Sequence, residues 1–288
     1  MTDNVTTSAT SEDDALPRAG WNWALWRRNA AVPAASITLA VVVLLAWQYL
    51  PPLLEVPKYI IPRVTDLVSE GVRMWHQENL LGHFISTASM AVLGFILGGL
   101  LGAVSGYALG LLPTWEKVLS PYILALQIAP KVAFAPLFIL WFGYNALPKL
   151  IVTILVVFFP ILVNVLQAMR VMDRDLVNLA RAYNMSRAKI FWKVMLPFSM
   201  PNLLAGLRIG ATLAVIGITV GELVGGEVGL GYLISFGQGQ ANTAMVFDAI
   251  ALLTVIGIVM YWAVTSIENR VLHYVPRALD VPTANPRP

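Results

Sequence analysis

Apolar residues fall along this chain in long runs, at about 34–50, 84–111, 119–142, 148–169, 203–224 and 247–267, separated by charged or Pro/Gly-containing connections. A bilayer core about 30 Å thick takes roughly 20 mostly apolar residues per helix, so the pattern predicts an all-α membrane protein with six transmembrane helices. Residues 1–20 are polar, rich in Ser, Thr and Asp, and read as a disordered tail. Residues 21–58 carry an interfacial segment and the first span. Trp21, Trp23 and Trp26 with Arg27 and Arg28 combine amphipathic rings and cations that suit the headgroup layer. The run that follows has no small-residue cleavage site before Pro51, Pro52 and Glu55, so it reads as a retained span and not a signal peptide. Residues 59–270 form the core domain, and 271–288 a second tail.

The distribution of Lys and Arg sets the orientation, because cytoplasmic connections retain the positive charge. With the N-terminus inside, fourteen of the nineteen basic residues are cytoplasmic, seven of them between Arg170 and Arg208, while only Lys58, Arg63, Arg73 and Lys149 lie outside. Both termini are therefore predicted to be cytoplasmic, with both tails on that side.

Composition narrows the chemistry. Of 288 residues, 58% are hydrophobic and 12% charged, about half the charged share of a soluble domain. Cysteine is absent, which removes disulfides, thiolate metal sites and a cysteine nucleophile. The formal charge of +3 is small and its basic residues flank apolar runs, which argues against nucleic-acid binding. His76 and His83 fall in the outer connection and His273 in the tail, so no metal motif is expected. No catalytic constellation is visible.

Gly94, Gly98, Gly102, Gly106 and Gly110 recur every fourth residue, which aligns them on one face of the second span and predicts a close helix contact. Pro130, Pro136 and Pro160 predict kinks in the third and fourth spans.

The connection at about 170–202 reads as two short helices. Leu176, Leu179, Ala180 and Tyr183 form one apolar face, and Ala188, Phe191, Trp192 and Met195 another. Asn184 suits a left-handed turn between them, Ser186 a helix cap, and Pro197 and Pro201 punctuate the approach to the fifth span. Periodicity alone is equally consistent with an amphipathic hairpin lying on lipid phosphates.

This loop also resembles the cytoplasmic loop of ABC importer permeases, whose pattern is Glu-Ala-Ala, three residues, Gly, nine residues, Ile, one residue, Leu-Pro. The matching residues are Asn178-Leu179-Ala180, Asn184, Val194 and Leu196-Pro197, with the opening Glu and the Gly replaced. Asn184 keeps the turn accessible, whereas losing the Glu removes any cap or pair it makes in the family. The resemblance runs from about residue 60 to 270. It is carried further by "QIAPKVAFAPLFILWFG" at 127–143, "FFPILVNVLQAMRVMD" at 158–173, "KVMLPFSMPNLLAGLRIG" at 193–210 and "GELVGGEVGLGYLI" at 221–234, which are similar to the nitrate, sulfonate and taurine branch. It implies a type I importer permease fold in a bacterial inner membrane, working as a homodimer with two ATPase subunits and an extracytoplasmic binding protein. Ala180, Arg181, Ala182, Tyr183 and Asn184 would seat in the ATPase. It also implies that the spans alternate between outward and inward access for a small anionic or heterocyclic solute. None of the six lysines is followed by Ser or Thr, so the chain lacks a P-loop; ATP and Mg²⁺ are expected on the partner, and no cofactor on this chain.

Charged groups within spans cost about 2.5–3.5 kcal/mol on insertion scales and call for a reason. Lys131, between Pro130 and Pro136, fits either an anion pathway or carbonyls freed by a kink. Glu222 fits either an outer gate or an interhelix bond, and the two also suit a mutual ion pair. Gln127, Asn164, Gln167 and Thr219 offer hydrogen bonds to a solute or to a neighbouring helix. The alternative function is an ion-gradient-driven secondary transporter, for which Glu222 is the one embedded carboxylate on offer.

Overall fold

The computed structural model describes residues 31–272. The tail at 1–20, the tryptophans at 21, 23 and 26, and all but the first two residues of the tail expected from 271 lie outside the described residues. Residues 44–272 form one compact unit; of a second unit, the described residues are 31–43. Those residues begin α1, Ala31–Leu53, whose apolar run matches the first expected span.

Past α1 the chain folds into α2, Val64–Gln77, and α3, Leu80–Leu111. Next come α4, Pro113–Ile128, a 3₁₀ turn at Lys131–Phe134, and α5, Ala135–Phe142. α6 spans Ala146–Val171, α7 Arg174–Ala182 and α8 Arg187–Ile190. A π-helical turn, Phe191–Met195, leads into α9, Leu196–Gly225, followed by α10, Leu230–Gly239, and α11, Thr243–Val271. Among the described residues all regular structure is helical.

Five of these helical stretches are long and apolar enough to cross a bilayer. The third expected span is not a single helix: α4 and the following segment meet at 76°. The break follows from Pro130, which cannot donate to the helix ladder and holds Ala129 in an extended conformation with ψ 135°. The pair nevertheless runs from one end of the bundle to the other. Glu116 near its start binds Arg170 at the end of α6, and Ile139 near its finish fills the space over Gly225 at the end of α9. The six expected spans are thus present, one of them bent.

α6 is the central member, because close neighbours press on two of its faces. On one side the α3 glycines lie against its backbone: a Cβ on Gly98 would stand 2.8 Å from the Ile154 carbonyl, and one on Gly102 2.6 Å from that of Phe158. Contacts advance together, from Gly94 at Thr153 to Gly110 at Met169, so α3 and α6 run parallel. On the other side Gly206, Gly210, Gly217 and Gly221 of α9 meet Asn164, Ile161, Thr153 and Lys149 in turn, so α9 runs antiparallel to α6. In lipid, where burying apolar groups gives little net drive, such close approach lets dispersion hold helices together. The main core joins these helices to α10 and α11 through Val157, Ile161, Ile218, Leu233 and Ile256.

The fifth span begins earlier than Pro197 and Pro201 suggest. The widened π turn ahead of Pro197, closed by the Leu196 N–H to the Phe191 carbonyl, admits the proline ring without ending the helix.

Candidate functional site

The loop between α6 and α9 is a small folded platform. The Asp173 carboxylate caps α7 by accepting the Asp175 N–H at 2.8 Å. Val177 and Ala180 are buried against Ile190, with Met172, Met185 and Val194 closing the cluster. α7 ends where Asn184 takes φ +56°, so that the Met185 N–H reaches the Ala180 carbonyl at 3.1 Å and the Asn184 N–H that of Arg181 at 2.8 Å. These are the paired bonds of a Schellman ending with asparagine in the glycine position. Ser186 then caps α8, accepting the Lys189 N–H.

Of the five expected coupling residues, Ala180 is the foot of the platform, while Arg181, Ala182, Tyr183 and Asn184 are exposed at its tip. Tyr183 is 77% exposed and Leu179 57%. Of the expected apolar faces, Leu176, Leu179 and Tyr183 are exposed, as are Ala188 and Trp192 on the second helix, while the buried positions of the platform are Val177, Ala180 and Ile190. The helical period is as expected; its phase is set by contact with Ile190.

Lys131 sits at the bend of the third span. Its ammonium donates to the Gln127 carbonyl at 2.6 Å and lies 4.9 Å from the centre of the Phe159 ring. Both contacts offset the cost of a cation within a span, since a charged hydrogen bond contributes about 1.5–3 kcal/mol and a partly exposed ring contact about 1 kcal/mol. Of Gln127 it is thus the backbone that meets Lys131.

Glu222 is 1% exposed and belongs to a different knot. Thr87 of α3 donates to its carboxylate, and the Gly231 N–H, at the first turn of α10, donates to Oε2 at 2.9 Å. The Leu230 N–H in turn donates to the Thr87 hydroxyl at 2.8 Å, and the Gly229 N–H to His83 Nδ1 at 3.0 Å. Three otherwise unpaired amides at the start of α10 are thereby satisfied within the bundle. Gly229, with φ +128°, leaves room for the carboxylate, which a side chain there would strike. No ion pair between Lys131 and Glu222 occurs among the described residues.

The remaining expected pathway residues are dispersed. Asn164 donates to the Pro160 carbonyl at 2.8 Å beside Gly206; Gln167 is exposed on α6. Thr219 donates to the Val215 carbonyl and lines a mostly apolar groove of about 510 Å³ between α9 and α11, with Thr212, Thr254 and Tyr261 as its other hydroxyls. Sequence reasoning missed Thr87 and His83, because a single polar residue in an apolar run carries no periodic signal. It also missed an ion pair between Arg208 of α9 and Glu268 of α11, beside the Tyr261 ring. Arg208 reads in the sequence as one more cytoplasmic charge.

The described residues thus form a helical membrane bundle with a bent third span and a folded loop projecting from one end. Residues 79–273 match the family described as binding-protein-dependent transport system inner membrane component, and the chain belongs to that family. It is thus a multi-pass inner-membrane permease of the ABC importer type, in a class where the ATPase is a separate component. The formylaminopyrimidine transport permease protein ThiX of Halalkalibacterium halodurans is 35% identical over 77% of this chain and 86% of its own length. The putative aliphatic sulfonates transport permease protein SsuC of Bacillus subtilis is 30% identical over 86% and 88%. A chain of the MetNI methionine ABC transporter in an inward-facing conformation superposes with a TM-score of 0.58 at 19% identity, covering 68% of this chain and 97% of that one, a likeness of fold.

Proposed function

We propose that two copies of this permease assemble with two ATPase subunits, which seat on the tip formed by Arg181, Ala182, Tyr183 and Asn184, and with an extracytoplasmic binding protein at the opposite end. Both termini and the 170–202 loop lie in the cytoplasm in this reading, as the charge bias favours. ATP binding at the partner draws the loops together, and the spans rock between outward and inward access, a two-state element biased by nucleotide. The single observation that carries it is an exposed Tyr183 and Leu179 held on a buried, doubly capped base. A flexible loop would absorb the partner's motion; this one transmits it.

The solute class proposed is a small organic anion or a heterocycle, since relatives at 30% identity or more are named for sulfonates and for a formylaminopyrimidine. Lys131 and Glu222 serve in this reading to hold the bend and the α10 turn that shape the passage, and of the four uncharged pathway residues, Gln127, Asn164, Gln167 and Thr219, it is Thr219, on the groove between α9 and α11, that supplies polar lining.

The test is ATP hydrolysis by the purified complex in liposomes, comparing wild type with Arg181→Glu/Tyr183→Asp, with and without loaded binding protein. Stimulation by the binding protein that the double substitution abolishes, in a complex that still folds, supports the assignment. Absence of any co-purifying ATPase, with uptake driven by an ion gradient, overturns it.

A further inference from the structure

A cavity of about 1490 Å³ opens where the C-terminal ends of α3 and α6 meet the underside of the loop platform. Its wall carries four guanidinium groups, Arg170, Arg174, Arg181 and Arg187, and one carboxylate, Glu116. That carboxylate is already bound by Arg170, whose other arm donates to Ser120 at 2.8 Å. None of the ion pairs among the described residues uses Arg174, Arg181 or Arg187. Three cations without an ion pair thus line one concave space, an arrangement that attracts an anion.

The rest of the wall is apolar: Leu111, Leu112, Met169, Phe191 and Trp192. Directly beside it, α4 divides into two faces. Glu116 and Ser120 turn towards Arg170, while Trp115, Val118 and Tyr122, at 60%, 53% and 65% exposure, form an outward stripe beginning at the same level. A cationic concavity at the end of membrane-crossing helices, continuous with an apolar stripe edged by tryptophan and tyrosine, fits a ligand with a charged head and long tails.

We infer that this cavity binds the headgroup of an anionic phospholipid of the inner leaflet, with its acyl chains along the Trp115–Tyr122 face of α4. The inference rests on the cytoplasmic placement of the 170–202 loop proposed above. Phosphate oxygens would accept from Arg174 and Arg187, and the volume admits the two phosphates of a cardiolipin head.

The test is native mass spectrometry of the permease–ATPase complex released from detergent, titrated with cardiolipin, phosphatidylglycerol or phosphatidylcholine. Wild type is compared with Arg174→Gln/Arg187→Gln and with the outer-face control Lys58→Gln. The expected result is preferential retention of cardiolipin by wild type and control, and about 25-fold weaker retention by the double variant, about fivefold for each arginine near the surface. Should the double variant fail to assemble, Arg187→Gln alone, at an exposed side chain, carries the test with about a fivefold loss. Equal retention by wild type and variant overturns the proposal, as does displacement of the lipid by excess inorganic phosphate, which would mark a small-anion site. The same spectra report whether ATPase subunits are bound. Their absence sinks the coupling assignment, while the difference between permease variants still decides the lipid site.

Discussion

The Thr87 hydroxyl of α3 lies 2.9 Å from both carboxylate oxygens of Glu222 on α9 while accepting the Leu230 N–H at 2.8 Å. One side chain thereby joins two spans and the first turn of a third helix. Thr87→Val keeps the shape and removes both bonds, leaving a buried carboxylate and a buried amide underserved. We expect a loss of about 1–3 kcal/mol, seen as a lower unfolding temperature in detergent. Combined with Glu222→Gln, the loss should fall short of the sum of the single losses, because the two share a network.

Glycine substitutions should separate by position. An alanine at Gly102 would place its Cβ 2.6 Å from the Phe158 carbonyl, whereas at Gly239 it would meet nothing within 4 Å. Gly102→Ala is expected to cost about 1–3 kcal/mol through overpacking, and Gly239→Ala to be neutral or to stabilise by up to about 1 kcal/mol. Thermal unfolding of the two variants side by side checks the contrast.

Lys131→Met removes the bond to the Gln127 carbonyl at the 76° break. The expected outcome is a complex less stable by about 1.5–3 kcal/mol, with its solute preference unchanged in competition uptake assays. A switch in preference from anionic to neutral solutes would instead place Lys131 in direct contact with the cargo.

In α2, the Arg73 guanidinium bound to Glu70 holds that carboxyl below its ordinary value of 4.5, with the Asn242 amide adding to the effect and burial opposing it. Asp248 of α11 is the other acidic group near it, and Glu78 shares Arg73. Because the folded value lies below the unfolded one, the stabilisation is full above pH 4.5 and is lost as pH falls through the folded value. The difference in unfolding temperature between wild type and Glu70→Gln should therefore be constant near neutrality and shrink on acidification. A difference that grows in acid would contradict the assignment.

Breaking the pair between Arg208 and Glu268 by Arg208→Leu leaves Glu268 without its partner on α9. A loss of about 1 kcal/mol is expected for a partly exposed pair, partly recovered when Glu268→Gln is added.

Much of this was legible in the chain. Lipid requires nearly continuous apolar segments, so the six spans and the glycine ridge of α3 stand out without tertiary information. The Asn184 turn and the Ser186 cap were readable as well, because local backbone needs select those residues. Pro130 signalled a kink, but not how far the chain would turn, which depends on Lys131 finding the Gln127 carbonyl and Phe159. The second glycine seam was obscured, as Gly206, Gly210, Gly217 and Gly221 skip a turn between Gly210 and Gly217. Which side of α7 is buried was not legible, because Leu176 and Leu179 are as apolar as Val177, and only contact with Ile190 decides between them. Glu222 was recognisable as costly, but its partners Thr87 and Gly231 are 135 and nine residues away.

The glycines on either side of α6 carry a mechanical consequence. With carbonyls and side chains of α6 set almost against the α3 and α9 backbones, those three helices have no slack in which to slip, and they must travel as a single beam. At 1.5 Å per residue, α6 makes that beam roughly 39 Å long, and its C-terminal end runs straight into the loop platform at Met172. Were the ATPase to push at Tyr183 as proposed, a displacement of a few ångströms there would reach the far end as a swing of the whole beam, with the bent third span as the place where the bundle gives.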